Sequence, residues 1–197
     1  MSDASNVWEI VSSASTLAAV VVALFLPSFQ RWWDRPVLGV QAKLKTPDCG
    51  LHGGAYYLRL WICNTGRQAA EHVQVFAAKL VTVSGGFDPA ESFLPQNLRW
   101  THADEGQSTF LDRVNPGMGR HCDLGEIPQK HGEPASMSLL LEKAIPSLPT
   151  GVYRLTVMVA ASNGKPTTVT VEIKVGGPWT RPAEAMFKEL GLRLVQD

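Results

Sequence analysis

Two short runs of the sequence contain residue types that bind metal ions. Cys49 precedes His52 by three positions in the first run, and His121 is followed directly by Cys122 in the second. A zinc site needs about four thiolate, imidazole or carboxylate ligands that converge on one point. The two runs are dissimilar and far apart along the chain, and cysteines such as Cys63 and Cys122 are more often small buried apolar residues. We therefore predict no metal site.

Nucleophilic catalysis and phosphate binding each have a sequence pattern that this chain lacks. A hydrolase nucleophile elbow reads Gly-x-Ser-x-Gly between a strand and a helix. Phosphate-binding and dinucleotide-binding loops are glycine-rich strings of fixed spacing. None of these strings occurs in the sequence. We therefore predict no catalytic residue and no cofactor, and we expect that the protein is not an enzyme.

Composition and charge exclude several classes of protein. Of the 197 residues, 45% are hydrophobic, so the chain has enough apolar surface to fold and is not disordered as a whole. Its 18 basic and 18 acidic residues cancel, whereas a nucleic-acid-binding surface requires an excess of Lys and Arg. Three cysteines are too few for a disulfide-rich scaffold. We therefore predict a folded protein that does not bind nucleic acid.

The amino-terminal region has the pattern of a membrane anchor. The segment from Ile10 to Leu26 contains no charge, Pro or Gly, and a helix that spans the bilayer needs ~17–25 mainly apolar residues. We predict a short tail over 1–9, a transmembrane helix over 10–29 and an aromatic-basic juxtamembrane collar over 30–36. Aromatic and basic side chains anchor a span at its interfaces with the lipid bilayer, and here they are Trp8, Arg31, Trp32, Trp33 and Arg35.

A cleaved signal peptide and a buried core helix are the alternatives for this segment. Residues 1–9 lack the Lys or Arg of a signal peptide. Basic residues follow the segment and none precedes it, and basic residues beside a span stay in the cytoplasm. We therefore predict a single-pass protein of the cell membrane, with its amino terminus outside and its carboxy-terminal domain in the cytoplasm.

Small residues recur at every fourth position of the predicted span. Ser15, Ala19 and Ala23 share one helix face, and this spacing allows two transmembrane helices to approach closely. The pattern is consistent with a homo-oligomer formed through the span. The alternative is that Ala and Ser are simply common in weakly hydrophobic spans.

From Val37 onward the hydrophobic period changes to two residues. Apolar and polar side chains alternate over 55–63, 151–160 and 167–175, which indicates strands with one buried face. The Asn163-Gly164 pair between the last two segments favours a tight turn, so we expect these two strands to form an antiparallel hairpin.

Other short strand candidates, separated by turn residues, bring the total to about eight. Residues 72–83 change phase, and we expect a β-bulge near Val75–Phe76. No long amphipathic helix lies between the strand candidates, which disfavours an α/β fold. We therefore predict an all-β protein with an immunoglobulin-like β-sandwich over 37–177, preceded by one transmembrane helix and followed by a short helix.

The carboxy-terminal tail has helical rather than alternating periodicity. Ala183, Met186, Phe187 and Leu190 share one face at helical spacing. We predict a helical tail over 178–197 that packs against the sandwich. Binding of this helix to a membrane surface is the alternative, although its polar face is not basic.

One string within the sandwich region carries a family resemblance. It reads Leu58-Arg59-Leu60-Trp61-Ile62-Cys63-Asn64-Thr65-Gly66, then Ala69-Ala70, then Val73-Gln74-Val75. The string resembles adhesion-type immunoglobulin-like modules, in which an Asn-x-Gly turn joins two core strands and a small residue precedes the second strand. The combination of one span, an aromatic-basic collar and a small sandwich also resembles a group of bacterial membrane proteins. That second resemblance implies a tethered domain and no known reaction.

These observations together suggest a non-enzymatic role. We expect a membrane-anchored β-sandwich that acts as a protein-interaction module at the cytoplasmic face, with an unknown protein partner. Tyr57, Trp61 and Trp100 are candidate contact residues, unless they belong to the core. The alternative is a ligand-sensing or oligomerising membrane effector in which the sandwich is the sensor domain.

Overall fold

The computed structural model describes residues 14–26, 29, 33–45, 48–84, 93–101, 109–129, 133–142 and 147–195. The chain divides into two compact units, Met1–Arg35 and Pro36–Asp197. The described part of the first unit is mainly helical, and the second unit is mainly β.

Helix α1, residues 14–26, lies in the first unit, and its side chains are exposed. Over these described residues the helix extends roughly 20 Å, whereas the hydrocarbon core of a bilayer is ~30 Å thick. Among the described residues, no helix combines the length and the apolar character needed to cross a membrane. The predicted transmembrane helix over 10–29 is therefore wrong. The predicted single-pass membrane localisation, with a cytoplasmic domain, is wrong for the same reason.

Among its described residues, the second unit contains twelve strands and one further helix. In chain order they are β1 (Leu38–Ala42), β2 (Cys49–His52), β3 (Ala55–Asn64), β4 (Ala70–Ser84), β5 (Gln96–Asn97), β6 (Arg99–Trp100), β7 (Phe110–Val114), β8 (Gly119–Pro128), β9 (Ser138–Leu139), β10 (Gly151–Ala160), β11 (Thr167–Val175), α2 (Ala183–Glu189) and β12 (Gly191–Val195).

The strands form two antiparallel sheets. The first sheet has the order β1-β3-β8-β6, with β2 also paired to β3 and β9 also paired to β8. The second has the order β12-β11-β10-β4-β5, with β7 also paired to β4. Among the described residues, the five longest strands are interior, and the strands at the sheet edges have five residues or fewer.

One cluster of buried side chains from both sheets fills the space between them, as in a β-sandwich. Strand β3 contributes Leu58, Leu60 and Ile62, which are at most 1% exposed. In β10 and β11, the apolar residues on the face predicted to be buried are indeed buried, except that Val169 is only partly buried. Complete burial of one Leu, Ile or Val side chain stabilises a fold by ~1.5–3 kcal/mol.

Strand β4 contains the predicted change of phase, at a different position. Val73, Val75 and Ala77 point into the core, and the inward position then moves to Leu80. The register against β10 shifts between Ala77 and Lys79. The extra residue therefore lies at 78, slightly beyond the predicted bulge near Val75–Phe76.

The turn after β3 connects the two sheets and is held by Asn64, a buried polar residue. Its side-chain oxygen accepts hydrogen bonds from the backbone N–H groups of Val37 and Gly66, at 3.2 and 3.0 Å. Its amide group donates to the carbonyls of Gln68 and Val114, at 2.7 and 3.0 Å. Because both sides of the amide are satisfied, Asn64 fixes the crossing between sheets without an unpaired polar group.

A second buried side chain, that of Tyr153, forms a hydrogen bond to the backbone at the start of β10. The hydroxyl of Tyr153, whose side chain is buried, donates to the carbonyl of Pro149 at 2.9 Å, four residues upstream. This bond closes the loop that leads into β10.

The carboxy-terminal tail contains a strand as well as a helix. Helix α2 buries Met186, and β12 pairs antiparallel with β11. The ring of Tyr56 lies 5.6 Å from that of Trp179 and 5.8 Å from that of Phe187, and the hydroxyl of Tyr56 donates to the carbonyl of Arg181. The second sheet thus extends into the region predicted as a purely helical tail.

Candidate functional site

The outer face of the first sheet carries a set of paired polar and aromatic residues. Three residues of β3 lie directly opposite three residues of β8 in the strand register. We call these six residues the outer ladder. Its three rows are Tyr57 with Glu126, Arg59 with Asp123, and Trp61 with His121.

The central row is an ion pair. Arg59 Nε lies 2.9 Å from Asp123 Oδ1, and the Thr101 hydroxyl donates to the same oxygen at 2.7 Å. The two charged side chains are only 21% and 17% exposed. Solvent therefore screens this pair less than a fully exposed one.

The row of Trp61 and His121 is held in place from several sides. The centroids of the two rings are 4.7 Å apart, in an edge-to-face arrangement. His121 Nε2 lies 2.7 Å from Asp48 Oδ1, in the turn before β2. A Cβ atom at Gly119 would lie 2.6 Å from the Trp61 ring, so the indole rests on the β8 backbone where a side chain is absent.

The row of Tyr57 and Glu126 forms the other end of the ladder. Burial, and next the hydrogen bond to Glu126, raise the pKa of Tyr57. The phenol therefore stays neutral at neutral pH, opposite Glu126 in the strand register. The Arg59 guanidinium lies 5.8 Å from the centre of the Tyr57 ring, which links this row to the central one.

An irregularity in β8 keeps the three rows on one face. The pairing register with β3 shifts between Leu58 and Arg59. At this point β8 contains one extra residue, and the consecutive residues Leu124 and Gly125 are both buried. Without this extra residue, Glu126 would point to the same side as the core residues, since successive strand residues alternate between faces.

The residues predicted from the sequence as membrane anchors or as a helix–helix face do not belong to this site. Trp8, Arg31 and Trp32 lie outside the described residues. Trp33 is exposed and stacks on Phe29 with 5.7 Å between ring centroids, and Arg35 is half-buried. Ser15, Ala19 and Ala23 are exposed on α1, and their predicted role in self-association stays a prediction.

The three cysteines have no disulfide and differ in burial. Burial raises the pKa of Cys49 to about 11 and raises that of Cys122 strongly. Cys63 is half-buried. Among the described residues, no group of three or more His, Cys, Asp or Glu side chains has a metal-binding arrangement.

Sequence reasoning found part of the outer ladder and missed its connections. Tyr57 and Trp61 were recognisable as outward residues of an alternating strand. Trp100 instead lies in the core, at 5% exposure. The contact between Asp48 and His121 joins residues 73 positions apart, and no local sequence pattern predicts a contact between residues so far apart.

Comparison of the chain with protein-family models, with curated proteins and with solved structures gives no match.

Proposed function

We propose that residues 36–197 form an immunoglobulin-like sandwich that acts as a non-enzymatic protein-interaction module. The outer ladder is the proposed contact surface. The observation that carries the proposal is the fixed position of Trp61, between Gly119 and His121, beside Arg59 and Tyr57.

The strand order supports the immunoglobulin-like assignment. The order β1-β3-β8-β6 corresponds to strands A, B, E and D of that fold, and β11-β10-β4 corresponds to G, F and C. The hydrogen bond from Tyr153 to the backbone upstream of β10 corresponds to the tyrosine corner before strand F. The turn held by Asn64 occupies the connection between strands B and C.

The composition of the outer ladder supports the contact surface. Trp, Tyr and Arg are the residue types most enriched among those that dominate binding energy at protein interfaces. Here one residue of each type lies on the same strand, and each is held by a partner on β8. Such preorganised side chains lose little conformational entropy on binding.

The proposal is testable with a photo-crosslinking amino acid placed in the full chain in living cells. Position 41 samples the outer ladder and keeps its six residues, because Gln41 is exposed and lies opposite Trp61 in the strand register. Position 154 is a matched control, since Arg154 lies on the second sheet in an ion pair with Glu172. We expect a crosslinked adduct of discrete mass from position 41, weakened by Arg59→Ala, and none from position 154. No adduct from position 41, or equal adducts from both positions, overturns the proposal.

A further inference from the structure

We infer that the partner of the outer ladder is a second copy of this chain, packed face to face across a two-fold axis that runs along the strands between β3 and β8. The inference rests on the proposed function and names the occupant of its surface.

Each row of the outer ladder pairs two different groups that attract one another. The central row joins a guanidinium to a carboxylate at 2.9 Å. The row of Tyr57 sets a neutral phenol opposite the side chain of Glu126. The third row sets an indole against an imidazole. In every row one member lies on β3 and the other on β8.

A two-fold rotation about the proposed axis places β3 of one copy over β8 of the other. Because the axis is parallel to the strands, each row keeps its position along the strands and faces the same row of the other copy. Arg59 then faces Asp123 of the other copy, and Asp123 faces its Arg59. By the same operation Tyr57 faces Glu126, and Trp61 faces His121. The charge pattern is therefore self-complementary, as an isologous interface requires.

The alternative axis, across the strands, is disfavoured by the same charges. That rotation reverses the strands and sets Arg59 against Arg59 and Asp123 against Asp123 at the centre. Like charges in a desolvated interface are costly. The pattern thus selects one relative orientation of the two copies.

The size and the rim of the face are compatible with such a contact. Four strands at ~4.8 Å spacing and ten residues at ~3.4 Å give a face of the order of 600 Å², close to the ~800 Å² per partner of a standard interface. The proposed axis brings exposed Lys43 near exposed Arg99 of the other copy. At the rim, water and salt screen this repulsion.

A charge-exchange experiment tests the inference. In the full chain, Arg59→Asp leaves two carboxylates in the central row, and Asp123→Arg leaves two guanidinium groups. Each variant alone is expected to weaken self-association, measured by sedimentation velocity, by about tenfold or more. An equimolar mixture is expected to restore it, because each copy then meets the opposite charge.

The restored association is the decisive result. Mixing cannot repair the broken pair inside either chain, so recovery reports only on contacts between chains. Arg154→Asp on the second sheet is the matched control and is expected to associate like the unaltered chain. Circular dichroism of each variant verifies folding.

Three results overturn the inference: an unaltered chain that stays monomeric, association that persists in both single variants, or a mixture that does not recover. If position 41 still gives a crosslinked adduct whose mass is not that of two chains, only the second-copy inference fails. If position 41 gives no adduct at all, the proposed function fails as well.

Discussion

Gly119 determines where the Trp61 ring lies on the outer face. A methyl group at this position would lie 2.6 Å from the ring and 2.6 Å from the carbonyl oxygen of Ile62. Because the backbone oxygen cannot move without disturbing the sheet, we expect Gly119→Ala to lower the free energy of unfolding by about 1–3 kcal/mol. Urea unfolding measures this change.

Gly50 provides the matched control for this substitution. It also lies in the first sheet, and a Cβ atom there would have no neighbour within 4 Å. We expect Gly50→Ala to change stability by less than about 1 kcal/mol. Equal effects of the two substitutions would contradict the role given to Gly119.

At the residue scale, the sequence predicts which side chains point outward but not which of them meet. The alternation of β3 is a local signal, and it places Tyr57, Arg59 and Trp61 on one face. The pairing of those residues with β8 depends on the register, which is shifted by the buried pair Leu124 and Gly125. A shift of one residue changes every pair of residues that face each other across two strands. No feature of the β8 sequence predicts where this shift occurs.

At the scale of elements, α2 is attached to the sandwich by buried Met186 and by the partly buried ring of Phe187. Phe187 packs on Tyr56, which belongs to the first sheet. We expect Phe187→Ala to lower the free energy of unfolding by about 1–3 kcal/mol and to speed amide hydrogen exchange in 178–195 more than in β10. Hydrogen-exchange mass spectrometry measures both regions.

Lys188→Ala is the control on the same helix, because Lys188 is exposed. Its effect on exchange is expected to be small. If Phe187→Ala accelerates exchange uniformly across the second unit, α2 is not a separate local element and the prediction fails.

Elements with regular periodicity were predictable, and elements defined by pairing were not. Strands β3, β10 and β11 follow the two-residue alternation, and the Asn163-Gly164 hairpin joins the last two. Strand β12 alternates only over Leu192, Arg193 and Leu194, which is too short a run to predict a strand, and it pairs with the edge of β11. For α1, the apolar composition suggested a span, but the described helix is too short for one.

For the whole molecule, several buried groups share one response to alkaline pH. Burial raises the pKa of the Cys49 and Cys122 thiols and of three tyrosines, Tyr56, Tyr57 and Tyr153. The folded state therefore keeps protons that the unfolded state releases. The stability from these groups is complete below the ordinary thiol pKa of 9.0 and falls as the pH rises above it.

Denaturant unfolding between neutral pH and about pH 11 tests this expectation. The free energy of unfolding should decline continuously above about pH 9. Tyr153→Phe removes one titrating group and should make the decline shallower, although it also removes a hydrogen bond. Stability that stays constant up to pH 11 would contradict the pKa directions.

The buried core lies entirely within the second unit. Among the described residues, every member of the core cluster is at position 38 or later. We expect a chain that begins at Pro36 to unfold cooperatively, with a Tm within about 3 °C of the full chain. Calorimetry measures both.

A chain that begins at residue 46 is the matched comparison. It lacks β1 and thus the core residues Leu38 and Val40, so we expect a much lower Tm. If the chain from Pro36 loses its cooperative transition while the full chain keeps it, the second unit is not self-sufficient.

The division of three sheet edges between short strands has a consequence for the protein in concentrated solution. An open edge offers unpaired N–H and C=O groups on which strands of other molecules can add and grow into fibrils. Here the edge of β3 is split between β1 and β2, that of β4 between β5 and β7, and that of β8 between β6 and β9. Interruptions of this kind shorten the template that each of these edges offers, and the longest strands, β3, β4, β8, β10 and β11, lie in the interior of the sheets.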